Sequence, residues 1–232
     1  MALDRPIVGE GIYRPSEAAR LIGAKQRDIL RWTRGNGQNE PIWAAHYQFI
    51  ENATEISFRD LVELRVVRAL RLHGISLQAI RYAINFAREK LSIDRPLSAL
   101  SFKTDGPEIL IDAVENDGDL ISLSKQRPGQ KVFRKIIDQS VSGLEYEGVR
   151  PARWRPKIAK HVVLDPNRAF GSPLVDEVGI STQALYRDWK RSRDFKYVSR
   201  LYEIDDCLVR DAVGFECGLT RAESARDGQG TI

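Results

Sequence analysis

The sequence predicts a mainly α (α+β) chain built in three blocks: a helical head at residues 11–95, a small α/β connector at 96–152 and a C-terminal trihelical unit at 153–217, followed by a polar tail at 218–232 expected to be disordered. Three observations predict it. Apolar residues recur at helical spacing between capping residues across 13–32 and 57–91. Short β-leaning runs separated by Asp-Gly dipeptides occupy 97–124. Three short amphipathic stretches joined by tight turns follow Ser181.

The whole chain permits this division. Its 232 residues suffice for two ordinary domains, and 42% apolar content supports packed cores. The net charge of +4 is mild, but its distribution is not even. Residues 1–95 carry 15 basic against 11 acidic side chains, 96–152 carry 7 against 9, 153–200 carry 11 against 5, and 201–232 carry 3 against 7. The first and third segments are the candidate polyanion surfaces. Cys207 and Cys217 are the only cysteines and lie ten apart in one predicted helix, a spacing that suits neither a disulfide nor a metal site; both are expected to be reduced. The opening MALDRPIVGEG lacks the apolar core of a signal peptide, and no apolar run approaches the ~20 residues that span a bilayer, so a cytoplasmic protein without membrane attachment is expected.

In the head, YRPSEAARLIGAKQRDILRW reads as two short helices meeting at a glycine turn. Arg14 takes the N-cap position, Pro15 the first helical position and Glu17 the third. Proline there gives up an N–H that has no partner anyway, and the carboxylate faces the positive end of the helix dipole. Ala18, Leu21 and Ile22 form the apolar stripe, and Gly23 ends the helix. In the second helix Ile29, Leu30 and Trp32 turn inward while Lys25, Gln26, Arg27, Asp28 and Arg31 point outward. This is the layout of a helix-turn-helix whose second helix enters a DNA major groove.

The next stretch, 35–57, is rich in turn residues around Ile42–Trp43 and Tyr47–Ile50, and reads as a two-stranded wing. It contains no Lys or Arg from 42 to 56. Ser57 and Asp60 then form a capping box for a helix whose Phe58, Leu61, Leu64, Val67 and Leu70 share a face, with Gly74 after it. Ser76 caps the next helix, whose Leu77, Ile80, Ile84, Ala87 and Leu91 make a heptad seam expected to pack within its own domain. Asp94 and Pro96 stop it.

In the connector, LSALSF, EILIDAVE and LISLS read as short strands, with Asp105-Gly106 and Asp117-Gly118 as turns. QKVFRKIIDQSV reads as an amphipathic helix through Val132, Phe133, Ile136 and Ile137, ended by Gly143, with LEYE as a returning strand. In the last block HVVLD is a strand, and Pro166, Gly171 and Pro173 fix turns. Ser181 or Thr182 caps a helix through Leu185 and Trp189. Phe195 to Leu201 gives a second, and Asp205 caps a third.

Helix, turn, helix, wing and two capped helices joined by HGISLQAIR resemble the MerR-like winged-helix domain over residues 11–91. The last block resembles a small domain of the DUF433 type through Asp165, Pro166, Gly171, Pro173, Val175, Gly179, Ile180 and Thr182. A family joining these two parts is found among VapB-type antitoxins of VapBC toxin–antitoxin pairs. The resemblance implies a DNA-binding antitoxin that represses its own operon and neutralises a PIN-domain ribonuclease toxin. The residues nearest DNA would be Arg14, Lys25, Gln26, Arg27 and Arg31, with Arg suited to guanine O6/N7 and Gln to adenine N6/N7. A homodimer reading two half-sites is implied. The toxin would be met by the 153–200 block or by the tail from Gly218, with Arg221 and Arg226. The alternative is a stand-alone MerR-like regulator without a toxin.

Catalytic patterns do not appear. His46, His73 and His161 are scattered without metal-ligand spacing, and the sequence holds no G-x-S-x-G, Walker loop or G-x-G-x-x-G. Asp205-Asp206 reads as a helix cap. No enzyme, metal or cofactor is expected.

Overall fold

In the computed structural model, which describes residues 8–38, 40–116 and 130–227, the head forms as its caps direct. Helix α1 (Pro15–Ile22) begins with the Glu17 carboxylate accepting the Arg14 backbone N–H at 2.9 Å and ends at Gly23, in the left-handed region at φ +73°. Helix α2 (Gln26–Arg34) buries Ile29, Trp32 and Thr33. Ser57 Oγ accepts the Asp60 N–H to start α3 (Phe58–Leu72), and Ser76 Oγ accepts the Ala79 N–H to start α4 (Leu77–Leu91). The expected face of α3 is buried, and so are Val62, Glu63 and Val66, which makes α3 the central helix of the head. The α4 seam packs inward: Ile80, Ile84 and Ala87 are buried, and Leu77 and Leu91 lie against the same core.

The expected wing does not form strands. Residues 42–50 instead wrap onto the head with a 3-10 turn at His46–Phe49. Ile42, Trp43 and Tyr47 are all buried, a spacing that no alternating strand provides. Asp60 holds the segment in place: its carboxylate accepts the Trp43 indole N–H and the His46 backbone N–H, each at 2.8 Å. The Ser57 hydroxyl donates to the same carboxylate at 2.9 Å, and Arg95 pairs with it at 2.8 Å. Among the described residues the strand-like pairing near the wing is a single bridge between Tyr13 and Ile56.

The connector also departs from expectation. LSALSF and EILIDAVE are not strands; from Phe102 they form α5 (Phe102–Asn116), with Pro107 inside it. Phe102, Ile109 and Leu110 are buried at helical spacing. Gly106 is no turn residue: a Cβ there would stand 2.8 Å from Ile137 Cδ1 and 3.0 Å from the Phe102 ring, so its role is close helix packing. The reading of LISLS and Asp117-Gly118 lies outside the described residues. Helix α6 (Gln130–Ser140) matches its expected span and buries Phe133, Ile136 and Ile137, but Val132 is exposed. LEYE returns as β1 (Leu144–Glu147), antiparallel to β2 (Arg150–Trp154). One apolar core runs from Tyr13 through α3, α4, α5 and α6 to Trp154 and Leu164, so head and connector share it.

The last block opens with a three-stranded antiparallel sheet, β3 (Val162–Val163), β4 (Leu174–Val175) and β5 (Ile180–Ser181), in that order. Three helices follow: α7 (Thr182–Ser192), α8 (Phe195–Tyr202) and α9 (Asp206–Asp227). The Asp194 side chain caps α8, accepting the Lys196 and Tyr197 N–H groups. Leu185, Val198, Val209 and Ala212 centre this unit's core. The expected tail is corrected in part, since α9 continues unbroken past Gly218 to Asp227. Its Phe215 and Leu219 pack with Ala159, Val162 and Leu21 of α1, which gives the helix a reason to continue. On the same side Glu216, 1% exposed, pairs with Arg20 at 2.5 Å and accepts the Thr182 hydroxyl proton. The described residues are thus mainly helical with small antiparallel sheets, as expected.

Candidate nucleic-acid interface

Helix α2 is short, and its own hydrogen bonds would leave it marginal in isolation. Tertiary contacts hold it. Ile29 and Trp32 insert into the core, Ala24 seals the turn, and Arg68 of α3 donates from Nε to the Gly23 carbonyl at 2.9 Å. The turn preceding α2 is therefore tied to the central helix, which fixes where the α2 N-terminus points.

The opposite face is polar. Lys25 sits at the N-cap, half-buried, and Gln26 and Arg27 are exposed on the first turn. Arg31 is exposed one turn later and reaches Asp28 Oδ1 at 3.1 Å. Arg34 is exposed too, so Arg27, Arg31 and Arg34 line one face at spacings of four and three. The sequence reading passed over Arg34, although the same periodicity that selected Arg27 and Arg31 contains it. Lys25 and Arg27 lie at the positive end of the helix dipole, where backbone N–H groups favour a phosphate.

Arg14 is exposed at the N-cap of α1, separate from the α2 face in the chain. Arg221 is exposed on α9 and Arg226 lies in the last turns of that helix; neither belongs to α2. The segment 42–56 adds no cation to the head, and its exposed tip carries Glu51 instead.

Two of the histidines make local polar contacts. His73 Nδ1 lies 2.9 Å from the Ala69 carbonyl at the end of α3, and His161 Nδ1 lies 2.7 Å from Glu177 Oε1. Both cysteines are free thiols on α9. Among the described residues no group of three or more His, Cys, Asp or Glu is arranged to hold a metal, and no helix is long and apolar enough to cross a membrane.

The D-P-x-x-x-x-G-x-P element has a structural role. Asp165 Oδ1 accepts the Asn167 N–H at 2.9 Å, and Arg153 reaches Asp165 at 3.3 Å. The loop then places the Gly171 carbonyl 2.8 Å from the Tyr13 hydroxyl and the Phe170 carbonyl 2.8 Å from the Ile12 N–H. The loop that sequence reading marked as a signature is thus a clasp on the segment leading into α1.

No family model matches the chain. The chain is similar to a crystal structure of Rv2018 from Mycobacterium tuberculosis, with a TM-score of 0.68, 24% identity, and coverage of 92% of this chain and 100% of that one, a likeness of fold. It is 25% identical over 221 residues to a Mycobacterium tuberculosis protein named "Putative antitoxin VapB45", covering 87% of this chain and 92% of that relative.

Proposed function

We propose that this chain is an antitoxin of a type II toxin–antitoxin pair, which binds operator DNA through α2 and neutralises a PIN-domain ribonuclease toxin. The observation that carries the DNA half is the exposed basic face of α2, Arg27, Arg31 and Arg34, set on a turn that Arg68 anchors to the core. Gln26 and Arg27 on the first turn read base edges, while Lys25 and the helix N-terminus take phosphate. The likeness to a relative named as an antitoxin supports the toxin half. One such head makes few base contacts, so a dimer spanning two half-sites is the working form.

The test is co-purification of the untagged chain with the tagged product of its adjacent gene, then a gel shift on the shared upstream DNA at stepped salt. A stable complex that shifts the DNA, with affinity falling steeply as salt rises, is the expected result. A shift without a partner would leave a stand-alone regulator, and a salt-independent shift would remove the α2 reading.

A further inference from the structure

A second basic surface lies away from α2. Helix α6 buries Phe133, Ile136 and Ile137, and that orientation turns Lys131, Arg134 and Lys135 outward. These three rim a groove of about 640 Å³ that runs between α6, the turn after β2 and α9. Lys157 and Arg65 complete the cationic lining, against a single acidic residue, Asp138. The floor is apolar: Leu21, Trp154, Phe215 and Leu219 form it, and Ile158 stands 73% exposed at its edge.

Arg65 is the unusual member. Its guanidinium lies 4.3 Å over the Trp154 ring and donates to the backbone carbonyls of Gln139 and Ser142. Among the described residues it makes no ion pair. Its Nη1 and the Trp154 Nε1 are both buried without an acceptor, and Trp154 is only 7% exposed. Burial pulls the Arg65 pKa down to about 10. A desolvated cation with no counter-charge is costly, and an arriving carboxylate would offset that cost.

We propose that this groove docks an acidic amphipathic segment of the toxin partner, its carboxylates on Arg65, Lys131, Arg134 and Lys135 and its apolar side on Trp154 and Ile158. The inference rests on the antitoxin reading above. The apolar floor distinguishes this groove from a phosphate track, which would call for cations without exposed aliphatic surface, and the pairing of an apolar trough with a charged rim is the helix-in-groove mode of recognition.

The experiment is titration calorimetry of the full chain with the purified PIN-domain protein encoded beside it, and gel shifts of the same samples on the upstream DNA. Three proteins are compared: wild type, a groove variant carrying Arg134→Glu, Lys135→Glu and Ile158→Asp, and an α2 variant carrying Arg27→Glu and Arg31→Glu. All five altered positions are exposed, so circular dichroism and melting should match wild type. Expected is toxin affinity ~10-fold or more weaker for the groove variant and unchanged for the α2 variant, with the reverse pattern on DNA. Equal toxin affinity in wild type and groove variant would overturn the groove while leaving the antitoxin reading intact. Loss of DNA binding alone in the groove variant would overturn it in favour of a nucleic-acid surface. Absence of toxin binding by wild type would overturn both.

Discussion

The Tyr13 hydroxyl donates a buried hydrogen bond to the Gly171 carbonyl at 2.8 Å, across 158 residues of sequence. A Cβ on residue 171 would lie 2.2 Å from that hydroxyl, and Gly171 has φ +85°. Gly171→Ala therefore meets both a clash and backbone strain, and should destabilise the fold by about 2 kcal/mol or more. Tyr13→Phe removes the donor and strands the carbonyl, at a loss of about 1–2 kcal/mol. Urea denaturation of both variants tests this; a Gly171→Ala protein as stable as wild type would dissolve the clasp.

The same tyrosine sets an alkaline limit. Desolvation by burial holds the Tyr13 phenol far above its ordinary range, with smaller contributions from Tyr47, Asp165 and Glu17, and burial likewise pushes Tyr47 and Tyr146 up to about 12. Unfolded tyrosines release their protons near pH ~10, before the folded ones do. Stability is therefore intact below that pH and falls as pH rises through it toward the folded values. Urea midpoints should hold between pH ~8 and ~9 and drop beyond ~10, and the phenolate absorbance of these three residues should appear together with unfolding.

Asp60 is 0% exposed and binds Trp43, His46, Ser57 and Arg95 with one carboxylate. Asp60→Asn takes from the buried Arg95 its 2.8 Å counter-charge, leaving only Asp94 at 3.8 Å, and sets an amide N–H against existing donors. A loss of about 3–5 kcal/mol is expected, measured by thermal and urea unfolding. The intrinsic fluorescence of Trp43 should change in parallel, because the segment it anchors would detach.

On α2, Arg27→Ala and Arg31→Ala are expected to weaken operator binding by about 1–3 kcal/mol where the side chain reads a base. Where it meets phosphate, the log–log salt slope should become shallower by about 1. Arg34→Ala distinguishes the two uses of that residue. If it serves only the negative end of the helix dipole, helix stability changes slightly and DNA affinity does not.

Local signals in the sequence carried a long way. Ser57 and Ser76 accept backbone N–H groups of the first turns that follow them, and the spacing of Phe58, Leu61, Leu64, Val67 and Leu70 gave the buried face of α3. What could not be read depends on partners far along the chain. Trp43 and Tyr47 look like strand residues until Asp60 and the Gly11 carbonyl claim their polar atoms. Asp105-Gly106 has turn chemistry, yet the missing side chain of Gly106 serves Ile137 of a helix some 30 residues later. That Gln26, Arg27 and Arg31 are exposed on one helix was legible because they lie within two helical turns of one another. The groove was not, since its lining comes from α1, α3, α6, β2 and α9.

The link between Arg20 and Glu216 spans 196 residues and joins α1 to α9. A ribosome adding roughly 5–20 residues per second needs about 10–40 s to make that interval. Throughout it Arg20 has neither Glu216 nor Glu223 and Leu21 lacks the Phe215 side of its packing, and for most of it Tyr13 waits for Gly171. The α1–α2 pair therefore leaves the ribosome well before α9 but is finished only when α9 arrives, and a chain cut short before α9 presents a head whose flank is still open.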